Sequence, residues 1–158
     1  MITDFNYWLT GRGWAEVFFS NDRQNIRFEL SYLSDPLMDL FEALVKLIKG
    51  QSDREKVVFL DEPGQQILII SKQKGDMISV EIFWSDTYDE IGHQYNVPNK
   101  IEILYTDTDT LKNFASVVST GIDSLLGRHT LADYKEKWHT AAFPTESYDN
   151  LKQTIKMR

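Results

Sequence analysis

Ile26-Arg27-Phe28-Glu29-Leu30-Ser31-Tyr32 alternates apolar with polar residues, and a few residues later the period changes. After Asp35-Pro36, the residues Leu37, Leu40, Phe41, Leu44, Leu47 and Ile48 recur at spacings of three and four. A period of two places one face of a strand in a core and the other in water. A period near 3.6 makes an amphipathic helix. The switch is sharply punctuated. Asp35 suits the N-cap and Pro36 the first helical position, where a missing N–H costs nothing. Glu42 and Lys46 form an i,i+4 pair, Lys46 and Lys49 complement the negative helix end, and Gly50 is the expected stop.

Strand character extends on both sides of this switch. Towards the N-terminus, Phe5, Tyr7 and Leu9 alternate with Asn6, Trp8 and Thr10, and Trp14 to Phe19 continues in the same style. Gly11-Arg12-Gly13 reads as a bulge or bend in one long strand. Towards the C-terminus, strands are expected at 57–60, 66–72, 77–85 and from Ile101 to Tyr105, with turns at Glu62-Pro63-Gly64 and Lys74-Gly75-Asp76. Most of these connections are too short for parallel crossovers, so the strands are antiparallel. Leu111, Phe114, Val117, Val118, Ile122 and Leu125 then trace a helix ended by Gly127. Thr130 and Asp133 resemble a capping box opening a short helix, and Tyr148, Leu151 and Ile155 mark a last one. The expected fold class is α+β: a two-layer sandwich with one antiparallel sheet of about six strands, in the order ββαββββ followed by α-helices, in a single domain over 1–158.

The composition narrows the chemistry. There are no cysteines among the 158 residues, which removes disulfides, thiolate catalysis and zinc–thiolate sites and fits a reducing, cytoplasmic setting. Net charge is −7, from 24 acidic and 17 basic residues. That balance speaks against nucleic acid and anionic membranes as partners. No run approaches 18 apolar residues, and the first residues have neither the basic nor the apolar region of a signal peptide.

No motif assigns a reaction. Asp107-Thr108-Asp109-Thr110-Leu111, between a strand and a helix, resembles the haloacid-dehalogenase phosphatase signature, whose two carboxylates work around magnesium. The match covers five residues and lacks the loop glycine and following threonine of that family. Acidic residues offering an N-cap are the stronger reading. Asp86, Asp89 and Glu90 form an acidic loop without the alternating ligands of an EF-hand. His93, His129 and His139 lack two-ligand helical spacing. No cofactor is implied.

Several segments together do carry a resemblance: Gly13-Trp14, Ser31-Tyr32-Leu33-Ser34-Asp35, Glu62-Pro63-Gly64, Tyr134 with Trp138, and Phe143-Pro144. The pattern resembles small uncharacterised bacterial proteins, some similar to the immunity proteins of contact-dependent or polymorphic toxin systems. It implies a non-enzymatic, cytoplasmic protein that neutralises a toxin domain by covering it, and it transfers no catalytic residue. A basic toxin would suit the acidic chain. The rival class is a small-molecule-binding domain or an enzyme whose site is assembled from residues distant in sequence.

If the helices cover the apolar side of the sheet, Arg27, Glu29, Ser31, Ser79, Glu81 and Glu102 fall on the other side, joined by Phe83, Trp8 and Phe18. Aromatics that anchor and charges that steer give such a face the composition of a recognition surface. The plainer alternatives are an ordinary wet sheet face or one covered by the C-terminal segment. The candidate binding residues are therefore Arg27, Glu29, Glu81, Phe83 and Glu102, with the loop residues Asp86, Asp89 and Glu90 next.

Overall fold

The computed structural model describes residues 1–86, 100–139 and 141–157. It is an α+β chain with two antiparallel sheets. Strands β1 (Ile2–Gly11), β2 (Trp14–Asn21) and β3 (Asn25–Ser31) form a three-stranded sheet in that order. Helix α1 (Pro36–Ile48) follows. Strands β4 (Arg54–Leu60), β5 (Gln65–Lys72), β6 (Met77–Ser85) and β7 (Ile101–Thr110) then form a four-stranded meander. Helices α2 (Leu111–Arg128), α3 (Leu131–Trp138) and α4 (Thr145–Lys156) complete the described chain. No described helix is long and apolar enough to cross a membrane.

The expected single sheet of about six strands is corrected, among the described residues, to seven strands in two sheets. One correction lies at Gly11-Arg12-Gly13, which is a hairpin reversal and not a bend. Leu9 faces Ala15 and Gly11 faces Trp14 across the β1–β2 ladder. Gly13 sits at φ +73°, and a Cβ there would lie 2.4 Å from the Tyr32 ring, so the turn needs glycine twice over. The second correction is the break between sheets. Where β3 ends near β4, Ser31 Oγ donates to Leu60 O at 3.4 Å. At the other end of β3, Asn21 Nδ2 donates to Asp107 Oδ2 at 3.0 Å, and the Gln24 amide donates to Thr106 O. Among the described residues, side chains and not a backbone ladder join the two sheets.

The inner faces share one core. Phe5, Tyr7, Val17, Phe19, Phe28 and Leu30 from the first sheet meet Val57, Phe59, Leu68, Ile70, Val80, Ile82 and Tyr105 from the second. Phe28 lies edge-on to Phe59 at 5.3 Å, and Phe19 approaches Tyr105 at 6.3 Å. Helix α1 buries Leu37, Leu40, Phe41, Leu44 and Leu47, each stabilising the fold by about 1.5–3 kcal/mol relative to exposure. A Lys46–Glu55 ion pair of 3.7 Å puts α1 on the Val57 and Phe59 side of β4. Phe41, Phe143 and Tyr148 bring α4 against α1, with ring centroids 5.0–6.0 Å apart.

Helix α2 runs along the outer edge of β1. Asn113 Nδ2 donates to Ile2 O at 2.9 Å and an Arg128 guanidinium N–H to Tyr7 O at 2.9 Å. Between them, Gly121 lets the helix come so close that a Cβ there would be 2.1 Å from Phe5 O. An unpaired strand edge invites pairing with other chains, and here the helix covers it. The helix starts at a Thr110 N-cap and continues one residue past the expected stop at Gly127.

Candidate functional site

The sides of the two sheets turned away from the core hold most of the candidate residues. On the first sheet, register places Trp8 opposite Glu16, and Phe18 opposite Arg27. The Arg27 guanidinium lies 5.5 Å from the Trp8 ring centroid and 5.7 Å from that of Phe18, while the two rings are 6.2 Å apart. Arg27 Nε also reaches Glu16 Oε1 at 3.5 Å. Glu29 is exposed and faces Glu16 across the ladder. One cation is thus held by two rings and a carboxylate, with a second carboxylate beside it. Ser31 keeps the register of Arg27 and Glu29, opposite Trp14. It is buried, spent on the Leu60 carbonyl at the seam between the sheets.

On the second sheet the outer face is more apolar than expected. Val58, Ile67, Phe83 and Ile103 face one another successively across β4, β5, β6 and β7. The next row reads Lys56, Ile69, Glu81, Thr106, and the row on the other side Leu60, Gln65, Ser85, Ile101. Phe83 and Glu81 are half-buried, as are Val58, Ile67 and Ile69.

Glu102 is a correction. It was expected between two core isoleucines, but Ile101 and Ile103 are each 62% exposed. The cause is a bulge. Ile82 pairs with Tyr105 and Phe83 with Ile103, leaving Leu104 as an extra residue in β7. One extra residue reverses the parity of everything beyond it. Glu102 therefore pairs with Trp84 on the core-side register, although its side chain is exposed, and the isoleucines join Phe83 outside. The signal for this apolar face was present in Val57-Val58-Phe59-Leu60 and Ile67-Leu68-Ile69-Ile70. Strands apolar on both sides imply two covered faces.

The acidic loop is only partly placed. Asp86 Oδ1 accepts from Lys100 N at 2.9 Å, and its own N–H donates to Lys100 O at 3.2 Å, so Asp86 closes the base of the β6–β7 connection. Asp89, Glu90 and His93 lie outside the described residues.

The carboxylates before α2 are structural in their bonding. Buried Asp109 accepts from Ile2 N at 2.9 Å and Asn113 Nδ2 at 2.8 Å through Oδ2, and from Thr110 N through Oδ1. Burial opposes the Asp107 charge, but the Asn21 amide and the Thr108 N–H outweigh it and hold that carboxyl below its ordinary range. Thr110, not either aspartate, caps the helix. His129 Nδ1 meets Asp133 Oδ2 at 2.5 Å, a contact that lowers the Asp133 carboxyl. Among the described residues, no three His, Asp or Glu side chains are grouped to hold a metal ion.

The cleft between α2, α3 and α4 has a volume of about 390 Å³ and an apolar floor that includes Leu126, Phe143 and Tyr148. Three of its polar groups are engaged with one another. Asp123 Oδ1 accepts from the Tyr148 hydroxyl at 2.8 Å and from Lys152 Nζ at 3.0 Å. They do not converge on the space, as a catalytic constellation would.

No protein-family model, curated protein or solved structure matches the chain.

Proposed function

We propose that this is a non-enzymatic protein-binding domain, and that its specific role is to neutralise a toxin by covering it. The observation that carries the reading is the Trp8–Arg27–Phe18 cluster on the solvent side of the first sheet. Tryptophan and arginine are the residues most enriched at binding hot spots, and here each restrains the other before any partner arrives. Glu16 and Glu29 border the cluster, and the net charge of −7 favours encounter with a basic partner. The internally bonded cleft between α2, α3 and α4 gives the rival small-molecule reading less support.

The test has two stages. Affinity capture from the source cells should identify a protein partner, and co-expression should relieve the toxicity of that partner. Titration calorimetry on the purified pair should then show Trp8→Ala and Arg27→Ala each weakening binding at least tenfold, about 1.4 kcal/mol. Full affinity in both variants would remove this face from the interface. Recovery of no protein partner, together with turnover in a broad hydrolase screen, would overturn the reading itself.

A further inference from the structure

We propose that the outer edge of β3 pairs with the same edge of a second copy of this chain, forming a reversible two-fold dimer through an antiparallel β3–β3 ladder. The inference does not rest on the toxin-covering reading, because self-association is measured on the purified protein alone.

The first observation is which backbone groups of β3 the fold leaves open. At the two ends of the β2–β3 ladder, Asn21 N donates to Gln24 O and Tyr32 N to Gly13 O. The register between them runs without a shift. Bonded and non-bonded pairs alternate in an antiparallel ladder. Ile26, Phe28 and Leu30 therefore exchange bonds with β2, while the N–H and C=O groups of Arg27 and Glu29 point away from it. Among the described residues, nothing bonds to those outward groups. Arg27 and Glu29 are exposed. The opposite edge of this sheet, on β1, lies under α2. β3 carries none of the proline, lysine or bulge that commonly blunts an open edge.

The second observation is the order of residues along that edge, which selects a second copy. An isologous interface must be complementary to itself. A two-fold axis beside Phe28 sets Phe28 against its own copy, Arg27 against Glu29 of the second copy, and Glu29 against Arg27. These pairs are formed by the outward-pointing groups, so each exchanges both N–H···O bonds. Directly opposed side chains lie on the same face, and unlike charges there attract. Moving the axis by one residue sets Arg27 against Arg27 or Glu29 against Glu29, which repel. On the inner face the favoured register brings Ile26, only partly buried in one copy, beside Leu30 of the other.

The third observation is the charge of Glu29. It faces Glu16 across a non-bonded pair, where side chains come closest. Glu16 has Arg27 Nε at 3.5 Å, whereas among the described residues Glu29 has no cation. The Arg27 side chain is 59% exposed, and its guanidinium has further N–H donors that can reach Glu29 of the second copy. An edge join this short buries far less than the about 800 Å² per partner of stable interfaces, so association is weak and reversible.

Sedimentation velocity from about 5 to 500 μM at fixed salt tests this, a range spanning micromolar dissociation constants. The wild-type protein is expected to shift from monomer to dimer across that range. Glu29→Pro removes an edge N–H that the β2 ladder does not use, and should leave monomer throughout with an unchanged circular dichroism spectrum. Glu29→Arg and Arg27→Glu should each weaken the dimer about tenfold, because attractive pairs become repulsive. An equimolar mixture of those two variants should dimerise again, since every opposed pair is then of unlike charge. A wild-type protein that stays monomeric at every concentration overturns the proposal. So does a dimer indifferent to Glu29→Pro, or a mixture of Glu29→Arg with Arg27→Glu that associates no better than either alone.

Discussion

Replacing Gly121 by alanine should destabilise the protein, against the ordinary helix propensity of the two residues. In an unencumbered helix the change favours folding by about 1 kcal/mol. Here the added methyl carbon would fall 2.1 Å from Phe5 O and 2.8 Å from Phe5 Cδ1, and real contacts do not go below 3.0 Å. The obstructing atom is strand backbone and cannot turn aside, so α2 must retreat by roughly 1 Å, in a core too densely packed to absorb it. Overpacking of this kind costs about 1–3 kcal/mol. The retreat also stretches the Asn113 bond to Ile2 O and the Arg128 bond to Tyr7 O, both now 2.9 Å and each worth about 0.5–1.5 kcal/mol. After the propensity gain, the net loss is about 2 kcal/mol, or roughly 4–8 °C in Tm for a chain of this size. Gly127 in the same helix is the control, because a Cβ there meets nothing within 4 Å. Gly127→Ala should leave stability unchanged or raise it by up to about 1 kcal/mol. Urea unfolding followed by circular dichroism measures both. If Gly121→Ala proves as stable as Gly127→Ala, α2 does not lie against the β1 edge as described.

Other outcomes follow from the same structure. Gly13→Ala combines a positive φ with a 2.4 Å approach to the Tyr32 ring, so thermal unfolding should show a loss of about 1–3 kcal/mol. Asp109→Ala leaves the Ile2 and Thr110 N–H groups without their acceptor and takes one of two acceptors from the Asn113 amide, and denaturant titration should show a loss of about 2 kcal/mol. Burial raises the Asp35 carboxyl, with Glu42 adding to the effect against the Met38 N–H. A raised folded pKa means that the favourable contribution is present below the unfolded pKa and is lost as pH rises through the folded one. Asp35→Asn retains a good N-cap and should therefore be more stable than wild type near pH 7, with the difference closing as pH falls below the ordinary aspartate range; equal stability across a pH series of unfolding curves would contradict this. Asp107 has the opposite sign. Its lowered carboxyl contributes above the unfolded pKa and loses that contribution as pH falls through the folded value, so Asp107→Asn should flatten the acid limb of the stability curve.

Local chemistry made much of the fold legible in the sequence. Asp35-Pro36 and the three-and-four spacing after it determine α1, because capping and amphipathicity are properties of a single segment. The same holds for the Thr130 cap of α3, and for the alternation that puts Phe28 and Leu30 inside with Arg27 and Glu29 outside. Trp8, Phe18 and Arg27 share a face because register follows from that alternation once β1 and β2 pair. What the tertiary structure decided depends on contacts between distant residues. Gly11-Arg12-Gly13 suits a bend or a reversal equally well, and only the approach of Tyr32 and the pairing of Leu9 with Ala15 select the hairpin. The break between sheets depends on how β3 and β4 are held apart after α1. The outward turn of Ile101 and Ile103 rests on one extra residue, Leu104, opposite the Ile82–Phe83 step. A bulge of that kind arises from the pairing of two strands, and no periodicity within either strand contains it.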